Sequence, residues 1–335
     1  MNVVVSRMTD ASRGGEERLH CDATPPQAVR EKAYGKTIIV GEHAVVYGAR
    51  AVAMPVFSVQ MHVDLTPRSL PHENTDSPLI RVTLGGRSVT THLRSVVDDA
   101  FACMGIPPFD LDLDGHSSVL VGAGLGSSAS LCVVVLRAIA KSVGLEISRR
   151  DLAAMGNQLE KRFHGNPSGL DTAVVAWEEV ITFKRGQCPI PVTIKSPVDG
   201  PWRFAVLDSG ARSSTLEMVQ KAAPFFRGED GDSRLQRFDD LAQVVAGGLA
   251  SGDALSVAGA MDEVGAHLKA AGIVSSQLDD VIQIARDCGA LSAKVTGAGG
   301  GGCVLALLDP EDAPSQLSLL KSRLGAHRVF EVELT

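Results

Sequence analysis

Two carboxylates flank a tight turn in this chain. Glu160 lies near the end of a helical stretch, HGNPSGLD (164–171) breaks that stretch, and Asp171 closes the turn. Acids brought to one spot can divide labour, one holding a divalent cation while the other accepts the proton of an attacking hydroxyl. Each also has a plainer use, Glu160 as a surface residue and Asp171 as the N-cap of a helix from Thr172. The run GAGLGSS, Gly122 to Ser128, adds a place for an anion. Its glycines let backbone N–H groups converge, and the helix that begins near Ser127 adds free N–H groups and the positive end of its dipole. Gly122, Gly124, Leu125, Gly126, Ser127, Ser128 and Ala129 make up this cradle. The Ser127 and Ser128 hydroxyls suit either a helix cap or a hard cation such as Mg²⁺.

No lysine follows the last glycine of the cradle, which excludes the common GxxxxGK phosphate loop, and the alternating glycines exclude GxGxxG. The missing cation has one candidate elsewhere. Lys36 opens the apolar strand KTIIV (36–40), either as a solvated edge charge or as a cation reaching in from a distant strand. Glu42 and His43 follow in GEHAVVYG (41–48), and His43 by itself reads as a satisfied, partly buried histidine. A second loop, TGAGGGG from Thr296 to Gly302, formally contains GxGxxG, but CVLALL after it reads as a strand, so no dinucleotide site is expected. So many glycines, Gly297, Gly299 and Gly300 among them, fit a backbone packed against a ligand or against the first loop.

The elements that must position these groups alternate between strand and helix. Strands are expected at 36–40, within 51–65, at LIRVTL (79–84), at FDLDLDG (109–115) and near 180–184. Helices are expected at 96–104, from Ser128 through the apolar run LCVVVLRAIAKSVGL, and at 148–164 with Ser148 as N-cap. The Pro-rich CPIPVTIKSPVDGP (188–201) marks a domain boundary. Beyond it come a strand, four helical segments, strand–glycine loop–strand, a helix and a closing strand. With 335 residues the chain exceeds what a single core usually serves, so two domains in close contact are expected. A net charge of -7 without a basic patch argues against a nucleic-acid partner. No segment is apolar and long enough for a membrane span, and the N-terminus lacks the pattern of a secretory signal. The six scattered cysteines contain no CxxC pair and read as reduced thiols of a cytoplasmic protein.

Taken together and in this order, GKTIIVGEHAVVYG, GAGLGSSAS, EKRFHGNPSGLD and KVTGAGGGGCVLAL resemble the GHMP small-molecule kinases. The match runs from about Ala33 to the C-terminus, and the GEHAVVYG and HGNPSGLD loops are similar to members acting on mevalonate. The implied fold is α+β: an N-terminal α/β domain like the second domain of ribosomal protein S5 (31–190) and a C-terminal ferredoxin-like domain (191–335), after an extension, 1–30, outside the family pattern. The implied activity is phosphorylation of the terminal hydroxyl of mevalonate by ATP and Mg²⁺, a step toward isoprenoid precursors, by a monomer or homodimer. A kinase of phosphomevalonate, a sugar or homoserine shares the loops, as does a diphosphate decarboxylase; a nucleotide sensor would not need Lys36, Glu160 and Asp171 together. By resemblance Asp171 is the general base, Lys36 offsets phosphoryl charge, Ser128 and Glu160 hold Mg²⁺, and Glu42, His43 and Thr215 lie on the substrate side. The family usually reads Ala-Pro-Gly-Lys where this chain has Ala33-Tyr34-Gly35-Lys36.

Overall fold

The computed structural model describes residues 25–68, 78–88 and 91–334. The expected extension lies outside these as far as residue 24, and so do residues 69–77 of the expected loop. The chain joins the fold before residue 31: Gln27 N–H donates to the Ser142 carbonyl at 2.8 Å. The strands expected at 36–40 and within 51–65 are parts of two longer ones, β1 (Val29–Val40) and β2 (Ala51–Pro67). They pair antiparallel from Val29 opposite Leu65 to Val40 opposite Val52. The register slips between Tyr34 opposite Gln60 and Gly35 opposite Val56, so residues 57–59 of β2 bulge out just before Lys36. A side chain at Gly35 would strike Val59 Cγ2 at 2.6 Å, so this bulge requires the glycine.

The first sheet continues with β3 (Ile80–Leu84), β4 (Arg87–Ser88) and β5 (Leu111–Ser117). It ends in β6 (Ile181–Phe183) and β7 (Ile190–Pro191). Its order is β4-β3-β5-β2-β6-β7 with β1 also on β2, and only β3 and β5 run parallel. Helices α1 (Thr91–Met104), α2 (Ser127–Ser142), α3 (Arg149–His164) and α4 (Leu170–Trp177) complete this half. Most of α2 is buried, as its apolar run implies, because it packs on β1, β2, α1, α3 and α4 together. Ser148 caps α3 by accepting the Asp151 N–H, the expected start signal.

The second sheet is β8 (Trp202–Asp208), β9 (Ser292–Thr296), β10 (Cys303–Leu307) and β11 (Val329–Leu334). Between β8 and β9 run α5 (Thr215–Arg227), α6 (Gly231–Ser251), α7 (Ala254–Ala270) and α8 (Ser276–Asp287), and α9 (Ala313–Leu324) precedes β11. The order β11-β8-β10-β9, every neighbour antiparallel, is the ferredoxin-like arrangement. One face carries Leu207, Val295 and Val304 against Leu278 and Val281 of α8 and Leu317 and Leu320 of α9. Trp202, Phe204 and Leu305 join the larger core that also holds α6, α7 and the first sheet. Gly35 to Val40 are mostly buried because β1 touches α2 and α4 of its own half and α6, α7, β9 and β10 of the other. Cys132, Cys288 and Cys303 are buried and unpaired, and burial pushes the Cys303 thiol up to about 12, so it stays protonated. Among the described residues no helix is long and apolar enough to cross a membrane.

Candidate active site

Lys36 lies mid-strand and buried, where β1 passes under the first glycine loop; its N–H donates to the Leu125 carbonyl at 3.0 Å. The next residue of that loop, Gly126, has a left-handed φ of 75°, and a Cβ there would sit 2.8 Å from Lys36 Cγ. Glycine therefore serves twice, turning the chain into α2 and leaving room for the lysine stem. That stem brings Lys36 Nζ to 3.1 Å from Asp171 Oδ2. Asp171 is in the first turn of α4, where the helix dipole favours a carboxylate, and its side chain stays 30% exposed while that of Lys36 is at 3%.

The second acid is sealed in. Glu160 is 2% exposed on α3, and its Oε1 accepts a hydrogen bond from Ser128 Oγ at 2.8 Å. Burial first, then the like charge of Asp171, pushes the Glu160 carboxyl up to about 8, against the pull of Ser128 and Lys36. His164 is the residue that sequence reasoning missed. Its Nε2 lies 3.0 Å from Ser128 Oγ, and with the serine proton given to Glu160 the imidazole N–H is the donor. It sits four residues after Glu160 on one helix face, a spacing the sequence already showed. Burial lowers its pKa against the opposing charge of Asp171, with Lys36 adding to the lowering, so the ring favours the neutral form. Ser128 is thus turned toward Glu160 and His164 rather than capping α2, and the N-cap, Gly126, supplies no side-chain bond to the first turn. Ser130 instead bonds the Tyr34 carbonyl at 2.8 Å, a second tie between α2 and the strand that carries Lys36.

A second cation flanks the cradle. A Cβ on Gly122 would meet Arg212 Cδ at 3.3 Å, so this arginine from the turn after β8 lies against the first glycine loop. Asp208 grips it with bonds of 2.7 and 3.0 Å. The signal was an acid and an arginine four residues apart in DSGAR, passed over for Thr215. Thr215 itself is exposed in the first turn of α5, and its segment is moored to the second glycine loop through the bond from Ser213 Oγ to the Gly299 carbonyl.

That second loop packs on the first, backbone to backbone. A Cβ on Gly297, at φ 84°, would lie 3.3 Å from Gly124 Cα. Thr296 fastens the same junction: its Oγ1 accepts the Ile38 N–H at 3.0 Å, bonds the Ile38 carbonyl at 3.1 Å and meets Thr37 Oγ1 at 3.0 Å. The two residues expected on the substrate side by the GEHAVVYG motif are buried, and each keeps one polar atom, Glu42 Oε2 and His43 Nδ1, without a hydrogen-bond partner. Glu42 is 1% exposed and pairs with Lys294 of β9, which is also fully buried. His43 is 6% exposed and donates from Nε2 to the Ala298 carbonyl at 2.8 Å. Both side chains are turned into the junction between the sheets, and the reason is the arrival of β9 and its loop from the other half of the chain.

A glycine loop that opens a buried helix, a lysine–aspartate pair and a buried glutamate at the junction of an S5-like and a ferredoxin-like layer fit a GHMP kinase, and the chain belongs to that family. Family models described as "GHMP kinases N terminal domain" and "GHMP kinases C terminal" match residues 91–179 and 245–321. Its relatives within the family include mevalonate kinases. The chain is 30% identical over 285 residues to the mevalonate kinase of Archaeoglobus fulgidus, covering 83% of this chain and 92% of that one. It is 28% identical over 305 residues to that of Pyrococcus horikoshii, covering 83% and 88%. The fold superposes on L. major mevalonate kinase in complex with R-mevalonate with a TM-score of 0.75 at 18% identity, over 93% of this chain and 96% of that chain.

Proposed function

We propose that this chain transfers the terminal phosphoryl group of ATP to the terminal hydroxyl of mevalonate, giving phosphomevalonate. The observation that carries the reading is the Lys36–Asp171 pair at 3.1 Å beside the N-terminus of α2. Asp171 is partly open, as a base must be to reach a substrate hydroxyl, and it accepts that proton as the hydroxyl attacks. Lys36 holds positive charge where the transferring phosphoryl gathers negative charge. The first glycine loop and the free N–H groups of α2 hold the phosphates, and Arg212 adds charge from the other half of the molecule.

The donor set of Ser128 and Glu160 fits Mg²⁺. A buried carboxyl raised to about 8 beside a second acid is only partly offset by Lys36, and a hard divalent ion takes a carboxylate and a hydroxyl oxygen. When bound, the ion would neutralise phosphate charge. His164 then orients Ser128, and α3 and α4 hold the two acids at fixed separation.

The test is ADP release followed with mevalonate, phosphomevalonate, galactose and homoserine in turn. Mevalonate is expected to give the highest kcat/KM. A clear preference for another alcohol, or release of carbon dioxide from a diphosphate substrate, overturns the assignment.

A further inference from the structure

The outer face of the first sheet carries a group of side chains that the kinase chemistry does not use. Along β2, Met61, Val63 and Leu65 turn inward, so His62 and Asp64 turn outward. Antiparallel pairing sets His62 opposite His116 and Asp64 opposite Asp114 of β5, a two-by-two patch of imidazoles above carboxylates. The two rings stack with centroids 4.9 Å apart at 19°. His62, Asp64 and His116 each offer a ligand atom, and these atoms all lie within 4.8 Å of one another.

The supporting bonds are those that a metal centre uses. His116 Nε2 donates to Asp114 Oδ2 at 3.0 Å, which fixes the tautomer and leaves Nδ1 as the ring nitrogen with a free lone pair. Asp114 is itself held by Thr83 Oγ1 and by the Gly86 N–H at 3.3 Å. Asp64 is held from the far side by Arg30, with bonds of 2.6 and 2.7 Å. An imidazole backed by an orienting carboxylate, a second imidazole across the strand pair and an anchored carboxylate beside it make a set of three ligands.

We propose that His62, His116 and Asp64 bind a divalent transition-metal ion of the zinc class, which staples β2 to β5 at a site separate from the phosphoryl-transfer centre. Two imidazoles and one carboxylate select borderline ions such as Zn²⁺ or Co²⁺ over Mg²⁺, which prefers oxygen alone. Arg30 opposes the ion by charge and by occupying both Asp64 oxygens, so the bare site is tuned to modest affinity.

The full chain in excess Mg²⁺ is titrated with Zn²⁺ against a chromogenic chelator, and its thermal midpoint is read with Zn²⁺ and with chelator alone. The expected result is one equivalent of Zn²⁺ that Mg²⁺ does not displace, together with a raised midpoint. His62→Ala and His116→Ala should each weaken Zn²⁺ by at least about tenfold, and the double variant should lose the midpoint shift. Arg30→Ala should tighten binding by freeing Asp64. The shift is taken within each variant, so a change in its basal stability cancels. Zn²⁺ bound equally well by the double variant, or no bound equivalent in the parent, overturns the proposal.

Discussion

Two lysine–carboxylate pairs hold this molecule together at its centre, and they are built to opposite specifications. Lys294 and Glu42 are both fully buried, and they join β9 to the loop after β1. Lys36 and Asp171 join β1 to α4, with the lysine buried and the aspartate 30% exposed. In the sealed pair, burial pushes the Glu42 carboxyl up and the Lys294 ammonium down, and each partner opposes the shift of the other. Such a pair ties the two sheets together at their junction. In the open pair, one partner is rigid and the other presents an oxygen to solvent. The two pairs differ in the exposure of a single partner rather than in the pairing of charges, and only Asp171 is open to meet a ligand from solvent.

The open pair should break as chemistry without breaking as structure. Asp171→Asn keeps the shape and removes the proton acceptor, so turnover is expected to fall by about 10²–10⁴-fold with ATP binding largely kept. Single-turnover kinetics and nucleotide binding check this. Near-normal turnover in that variant would remove Asp171 as the base. The sealed pair should break the other way round. Lys294→Met strands a buried carboxylate, already with Oε2 unpartnered, and is expected to lose about 3–5 kcal/mol of stability in denaturant unfolding. Adding Glu42→Leu to Lys294→Met removes the stranded charge and should recover much of the loss. A double variant as unstable as the single one would mean that the pair contributes more than charge compensation.

Much of this was legible in the sequence where local chemistry carried it. The first glycine loop announces itself by running into an apolar helix, Ser148 by its capping pattern, and the Glu160–Asp171 turn by its Gly and Pro. The second glycine loop was readable as packed against the first, and Gly297 does lie against Gly124. What was not legible depends on partners far along the chain. Glu42 reads as a loop acid until Lys294, 252 residues later, arrives beside it. Arg212 reads as a turn residue until its stem lies against Gly122. That Ala51–Pro67 is one continuous strand was hidden because its bulge at 57–59 breaks the alternation that marks a strand.

A third acid sharpens the comparison, since Glu160 is buried and is bonded by Ser128 rather than by a lysine. Its carboxyl is raised from 4.5 to about 8, mainly by burial. Between those values the folded protein holds a proton that the unfolded chain has released, so its stability falls as pH rises through this window. The contribution is fully present below 4.5 and gone above about 8. Glu160→Gln has no proton to release. The metal-free parent should therefore lose thermal midpoint relative to Glu160→Gln as pH rises from about 5 to 8. Mg²⁺ should restore the parent at the alkaline end and leave the variant unmoved, because only the parent has a carboxylate to neutralise. Parallel pH curves for the two proteins would mean that Glu160 is already compensated without an ion, as Glu42 is by Lys294.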